Sequence, residues 1–119
     1  MKMYCIFSEY AIKAMNGNRG KMAAQAGHAF LGAFWDSFTK DEKKSYDYMD
    51  SEGTTKIVLI ASAEQILKLE QSYMHKCGVE VVIDAAHTVF DEPTLTCIGI
   101  GPIKDEDIGE DLRVLKVLI

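Results

Sequence analysis

The sequence predicts an α/β fold: a three-layer domain with helices on both faces of a mixed sheet of about four strands. Three observations lead there. Short β-branched runs alternate with Ala-rich or amphipathic stretches, in the order strand, helices, strand, helix, strand, strand, helix. The run TKIVLIA (55–61) is continuous and apolar, as expected of a strand buried on both faces. The chain has 119 residues, which suits one core, and 1–119 is read as a single domain.

The elements follow in order. Residues 3–8 (MYCIFS) are rich in β-formers and predict a first strand. Residues 15–20 (MNGNRG) carry two Gly and two Asn, a loop signal. Lys21 to Phe38 lacks Pro and is Ala-rich, which predicts a helix. Met22, Ala26, Ala29, Phe30, Ala33 and Phe34 form its apolar stripe. Lys21, Gln25, His28 and Gly32 recur at spacings of three and four on another face. A polar strip on an otherwise apolar helix calls for a functional explanation.

Thr39, with Glu42 three positions later, reads as a capping box opening a second, more solvated helix over 39–50, closed by Glu52-Gly53. Residues 55–61 read as a central strand. Ser62 is placed to cap a helix running to about Lys76, with Ile66, Leu67, Leu69 and Tyr73 as its buried set and Cys77-Gly78 as its end. Residues 79–83 (VEVVI) and 94–100 (TLTCIGI) are two more strands, separated by a loop over 84–93. A short acidic helix is expected from about 104 to 112. The terminal VLKVLI is either a last strand or an apolar tail packed on the core.

Composition limits the function classes. Hydrophobic residues make up 48% and charged residues 26%, ordinary for a soluble domain. No apolar run approaches the ~20 residues of a membrane span, and Met1 to Tyr10 reads as a strand and not a signal peptide. A cytoplasmic location without membrane association is the expectation. Cys5, Cys77 and Cys97 are odd in number and widely spaced, so they read as buried reduced thiols. The net charge of −5 argues against nucleic-acid binding by overall charge. A nucleic-acid partner would need a local patch. The candidates are Lys13, Arg19, Lys21 and His87, extended by Lys40, Lys43 and Lys44.

Two segments point to a family. The first is Gly20-Lys21-Met22-Ala23-Ala24-Gln25-Ala26-Gly27-His28-Ala29. The second is Asp84-Ala85-Ala86-His87-Thr88, followed by Thr94-Leu95-Thr96-Cys97-Ile98-Gly99-Ile100-Gly101-Pro102. Together, in this order, they resemble the GK-x-AAQ-x-x-HA helix start, the D-A-G-basic-T loop and the T-x-T-x-x-G-I-G-P strand of type-2 peptidyl-tRNA hydrolases. Lys56-Ile57-Val58-Leu59 is similar to that family's central strand.

The resemblance implies hydrolysis of the ester joining a peptide to the terminal ribose of tRNA. It implies Lys21, Asp84, Thr88 and Thr96 as the catalytic constellation. Gln25, His28, His87 and Arg19 are candidates for substrate binding or for support of that constellation. A cation at a helix start suits a developing oxyanion or a phosphate. A carboxylate at a strand end can orient or deprotonate a water. Neither a metal nor a cofactor is implied, and no His, Cys or carboxylate set has metal-ligand spacing.

The chain departs from the family pattern in four places, as a divergent member would. Ala86 stands where the family has Gly, which requires either a negative φ or some strain. Ser8-Glu9-Tyr10 replaces an Arg-x-Asp type segment, and the loop to Lys21 looks longer. Ala26-Gly27 replaces a Cys-Ser pair, and residues 89–93 add two acids. The bland readings are a solvated Lys21, a turn-forming Asp84 and a Thr96 that is simply a β-branched strand residue. A non-catalytic adaptor on the same fold, or a hydrolase of small esters or amides, are the alternative functions. A homodimer through the apolar tail from Val114 to Ile119 is also expected.

Overall fold

The computed structural model describes residues 1–86 and 90–119. Its sheet has five strands in the order β3-β4-β1-β2-β5. β1 (Lys2–Ser8) lies in the middle, and six of its seven residues are buried. It pairs in parallel with β2 (Lys56–Ala61) and antiparallel with β4 (Thr94–Ile103). β3 (Val79–Asp84) pairs antiparallel with β4 and forms one edge. β5 (Lys116–Val117) pairs antiparallel with β2 and forms the other. The sheet is therefore mixed, as expected, with one strand more than anticipated. The terminal VLKVLI supplies that strand. β2 was expected to be central, but it lies second from the edge, and its first residue, Lys56, is exposed.

α1 (Glu9–Met15) follows β1 directly, where no helix was anticipated. Its signals were present: the Ser8 side chain accepts the Ala11 N–H, Glu9 lies in the first turn, and Ala11 and Met15 are buried on one side. α2 (Arg19–Lys40) is longer than its apolar pattern at both ends, and Asn18 caps it. Thr39 is no cap, because α2 runs through it and its hydroxyl donates to the Asp36 carbonyl. Asp41 takes the role instead, accepting the Lys44 N–H at the start of α3 (Glu42–Asp50). α4 (Ala63–Tyr73) opens with the capping box of Ser62 and Gln65. Ile66, Leu69 and Tyr73 are buried as expected, but Leu67 is 52% exposed, since it lies roughly 100° around the helix from Ile66. The acidic stretch is interrupted at Gly109, giving a 3-10 turn at Asp105–Asp107 and a short α5 (Glu110–Arg113).

Two cores flank the sheet. Ile6, Leu59, Ile98 and Ile100 pack with Ile66, Leu69, Tyr73 and Leu112 on the α4–α5 face. Cys5, Phe7, Val82 and Cys97 pack with Ala11, Met15 and Ala29 on the α1–α2 face. α2 approaches the sheet closely because small residues meet there. A Cβ at Gly99 would overlap the carbonyl oxygen of Ala29, and one at Gly78 that of Ala33. Glycine at these two positions sets the depth of α2, and with it the distance between its side chains and β3.

The strand partners of β4 shift between Val82 and Ile83. Val82 faces Cys97 and Ile83 faces Leu95, so Thr96 is the extra residue of a bulge. Leu95 and Ile98 pack toward α4, Cys97 toward α2. Regular alternation would send Thr96 to the α4 side. The bulge turns it to α2.

Candidate active site

Lys21 is the third residue of α2 and Gln25 lies one turn later, so both side chains project from one face. That face looks onto the C-terminal end of β3, where Asp84 sits. Lys21 Nζ donates to Asp84 Oδ2 at 2.6 Å, and Gln25 Nε2 donates to the same oxygen at 3.4 Å. The Ala86 N–H donates to Asp84 Oδ1 at 2.8 Å. Gln25 Oε1 accepts the Thr96 hydroxyl at 2.7 Å, and the Val82 carbonyl lies 3.2 Å from that hydroxyl. One connected series therefore runs Lys21, Asp84, Gln25, Thr96.

Access divides this series. The Lys21 and Asp84 side chains retain 15% and 7% exposure, whereas Thr96 has none. Lys21 and Asp84 line a cleft of about 820 Å³ between α2 and β3. Thr96 lies beneath it, hydrogen-bonded to Gln25. Thr96 does not reach Asp84 directly, because the Gln25 amide spans the gap. Gln25 was expected on a polar strip, on another face from the apolar stripe. It is buried, in line with Ala29, Ala33 and Ser37. Burying an amide is tolerated here because both of its ends are hydrogen-bonded.

The Lys21 backbone N–H donates to Asn18 Oδ1 at 3.0 Å, so the positive group offered to the cleft is the ammonium. Ala86 has φ +68°, the left-handed region, where a Cβ costs roughly 1–2 kcal/mol relative to the right-handed conformation. Of the two outcomes foreseen for Ala86, strain is the one that occurs. The turn it makes points its N–H back at the carboxylate.

His28 is exposed and lines the cleft, while Arg19 is exposed at the first residue of α2. His87 and Thr88 lie outside the described residues. Lys13 is exposed on α1. The remaining cations proposed for a basic patch are engaged elsewhere. Lys40 donates to the Met74 and Cys77 carbonyls and pairs with Asp36, Lys44 donates to the Lys76 carbonyl, and Lys43 pairs with Asp47. Lys40 and Lys44 thereby satisfy carbonyls left open past the end of α4. The three thiols are free and buried, and burial pushes Cys77 up to about 11.

The sequence reading missed Leu31, Trp35 and Glu80, which line the same cleft. The signal was available: the strip Lys21, Gln25, His28, Gly32 continues at helical spacing to Trp35.

No helix among the described residues is long and apolar enough to cross a membrane. The family model for peptidyl-tRNA hydrolase PTH2 matches residues 2–118. A peptidyl-tRNA hydrolase of Haloquadratum walsbyi is 41% identical over 92 residues, covering 76% of this chain and 79% of the relative. One from Methanothermobacter thermautotrophicus is 35% identical over 103 residues, covering 84% and 88%. One from Methanocaldococcus jannaschii is 35% identical over 102 residues, again covering 84% and 88%. With the matched model spanning nearly the whole length and these relatives aligned across most of it, the chain belongs to the peptidyl-tRNA hydrolase PTH2 family.

Proposed function

We propose that this protein hydrolyses the ester of peptidyl-tRNA, releasing tRNA and peptide, and that Lys21 and Asp84 carry the reaction. The observation behind the assignment of residues is the 2.6 Å contact between an ammonium and a carboxylate at the rim of a large cleft. Asp84 is fixed on both oxygens, by Ala86 N–H on one and by Lys21 and Gln25 on the other. A carboxylate held this way keeps a defined direction for accepting a proton from an attacking water. Lys21 Nζ, beside it, has further N–H donors for the oxyanion that forms as water adds to the carbonyl carbon. Collapse of that intermediate breaks the bond to the ribose oxygen. The proton taken from water goes to that oxygen, and the peptide leaves as a carboxylic acid.

Gln25 and Thr96 are positioning residues in this scheme. Thr96 orients the Gln25 amide so that its NH₂ meets Asp84 and its oxygen faces away. Arg19 and Lys13 supply positive charge near the start of α2 for the tRNA, and His28 and His87 are substrate contacts in the same reading. Thr88 keeps the catalytic role the resemblance implies. A non-catalytic adaptor would not require Lys21, Asp84 and Thr96 to converge, and that convergence favours the enzyme. The reading extends to a cytoplasmic protein that dimerises through Val114, Val117 and Ile119, all of them exposed. A species of only 13.3 kDa in sedimentation at micromolar concentration would reject the dimer.

The deciding assay is release of labelled N-acyl-amino acid from N-acyl-aminoacyl-tRNA by wild type, Lys21→Ala and Asp84→Asn. Turnover by the wild type that both variants lose is the expected result. A folded wild type that releases nothing would end the enzymatic reading.

A further inference from the structure

The cleft extends well beyond the Lys21–Asp84 pair. It continues between α2 and the outer edge of β3, past Leu31 and Gly32 to Trp35. At ~1.5 Å per residue, α2 advances about 21 Å from Lys21 to Trp35. An extended chain at ~3.3 Å per residue would span that with about six residues. An ester and one ribose fill only the first part of such a groove.

We propose that the rest of the groove holds the peptide moiety of the substrate as an added strand along the outer edge of β3, with the tRNA lying at the Arg19 end. This rests on the ester-hydrolase reading above and adds a direction and a peptide subsite to it.

The backbone of β3 supports strand addition. Gly78 turns its carbonyl to β4, where it accepts the Gly101 N–H, and the next N–H, of Val79, turns the other way to Asp36 Oδ2. Strand alternation therefore aims the N–H and C=O of Val81 outward, into the groove. Asp36 closes the edge at Val79, which fixes where an added strand must stop. Main-chain pairing of this kind binds peptides of varied sequence, as a substrate with no fixed peptide requires.

The walls are apolar and open. Leu31, Trp35 and Ile83 are 72%, 66% and 59% exposed, and all three line this one cleft. Trp35 is braced from behind by the Phe38 ring, stacked at 6.0 Å and 5°. Alternate side chains of an extended peptide would rest on these surfaces.

Charge sets the direction. Arg19 lies at the first turn of α2 and the Lys21 ammonium two residues on, whereas Glu80 and Asp36 stand at the Trp35 end. Gly32 makes room for Glu80 to lie against α2, since a Cβ there would overlap the Glu80 Cγ. Lys21 and Asp84 offset each other at one end and Lys40 and Asp36 at the other, which leaves Arg19 against Glu80. A carboxylate repels phosphates but not a neutral peptide backbone, so the tRNA belongs at the Arg19 end.

Trp35 is the only tryptophan of the chain, so its fluorescence reports on this groove alone. The experiment has two arms. In the first, wild-type protein is titrated with an N-acetylated hexapeptide acid, the chemical form of the product, and Trp35 emission is followed. A saturable shift is expected, and a silent titration overturns the proposal. In the second, kcat/KM is measured for lysyl-tRNAs carrying one to six residues. The wild type should gain about tenfold from the shortest to the longest, through KM. Trp35→Ala should flatten that gain and Trp35→Phe should restore part of it. A wild type that cleaves every length equally, or a gain unchanged in Trp35→Ala, overturns the peptide subsite while the esterase stands. A wild type that cleaves none yet shows the saturable shift loses the esterase reading and keeps a peptide groove. A dimer whose Trp35 responds only after dissociation would assign the groove to a second copy and overturn the proposal.

Discussion

Two carboxylates, Asp84 and Asp111, organise polar clusters on opposite faces of the sheet, and they differ in what lies in front of them. Asp84 receives an ammonium, an amide and a backbone N–H at the rim of the 820 Å³ cleft. Asp111 accepts the Tyr73 hydroxyl at 2.5 Å, and that hydroxyl accepts the Gly109 N–H. The second cluster ties α5 to α4 beside a cavity of only about 130 Å³. Both are well satisfied hydrogen-bonding nodes. Only the first joins an ion pair to a wide cleft, the combination on which the proposed site rests.

The sharpest way to break the comparison is at its charged end. Lys21→Ala and Asp84→Asn should each lower kcat/KM for N-acyl-aminoacyl-tRNA by about 10²-fold or more, roughly 2.7 kcal/mol of transition-state stabilisation. The mirror substitution, Tyr73→Phe, should leave kcat/KM within about twofold and shift only the urea midpoint. If Tyr73→Phe lowered activity as much as Asp84→Asn, the distinction would fail.

A smaller effect is expected one step behind the cleft. Thr96→Val keeps the shape but leaves Gln25 Oε1 without its donor, which should destabilise by about 1–3 kcal/mol. With the amide free to rotate, kcat should also fall by about tenfold with little change in KM. Thr96→Ser, which restores the hydroxyl, should recover most of kcat. A stability loss with kcat untouched would make Thr96 purely structural.

Tyr73→Phe should cost about 1–2 kcal/mol of stability through its lost hydrogen bond to a carboxylate. Its pH dependence has a definite sign. Burial, then the hydrogen bond to Asp111, pushes the Tyr73 phenol up from 10.0 to about 12. The folded state therefore holds this proton more tightly than the unfolded chain. The contribution is complete below pH 10 and lost as the pH rises through about 12. Urea midpoints between pH 9 and 12 should fall more steeply for wild type than for Tyr73→Phe.

The smallest effect is expected at Ala86. Ala86→Gly relieves the left-handed φ but adds freedom to the unfolded chain, so a net gain under about 1 kcal/mol is expected. A loss in the denaturation midpoint would contradict the strain at this turn.

Much of the site could be read in the sequence because it lies in two short segments. Lys21 and Gln25 belong to one, Asp84 and Thr96 to the other, and helix spacing alone puts the first two on one face. The unread parts depended on contacts across the fold. α1 is hard to read from sequence because it is only seven residues long, buries only Ala11 and Met15, and runs directly into the loop signal of 15–20. Thr39 was mistaken for a cap because a Thr-x-x-Glu pattern cannot reveal that the preceding helix continues through it. The spread of cations suggested a wide basic patch, but Lys40 and Lys44 are drawn to carbonyls past the end of α4, a distant part of the chain.

The sequence by itself determined the family, the α/β class, and the placement of Lys21 and Gln25 on one helix face, since motif order, β-branched runs and helical spacing are local properties. Tertiary structure decided how those residues connect. The bulge at Thr96 exists only as a mismatch between β3 and β4, and it turns the hydroxyl to the face where Gln25 waits. The depth of α2 is set by Gly78 and Gly99 beneath it. The groove from Lys21 to Trp35 arises because β3 is an edge strand, and strand order is fixed by packing over the whole sheet and not by any one segment.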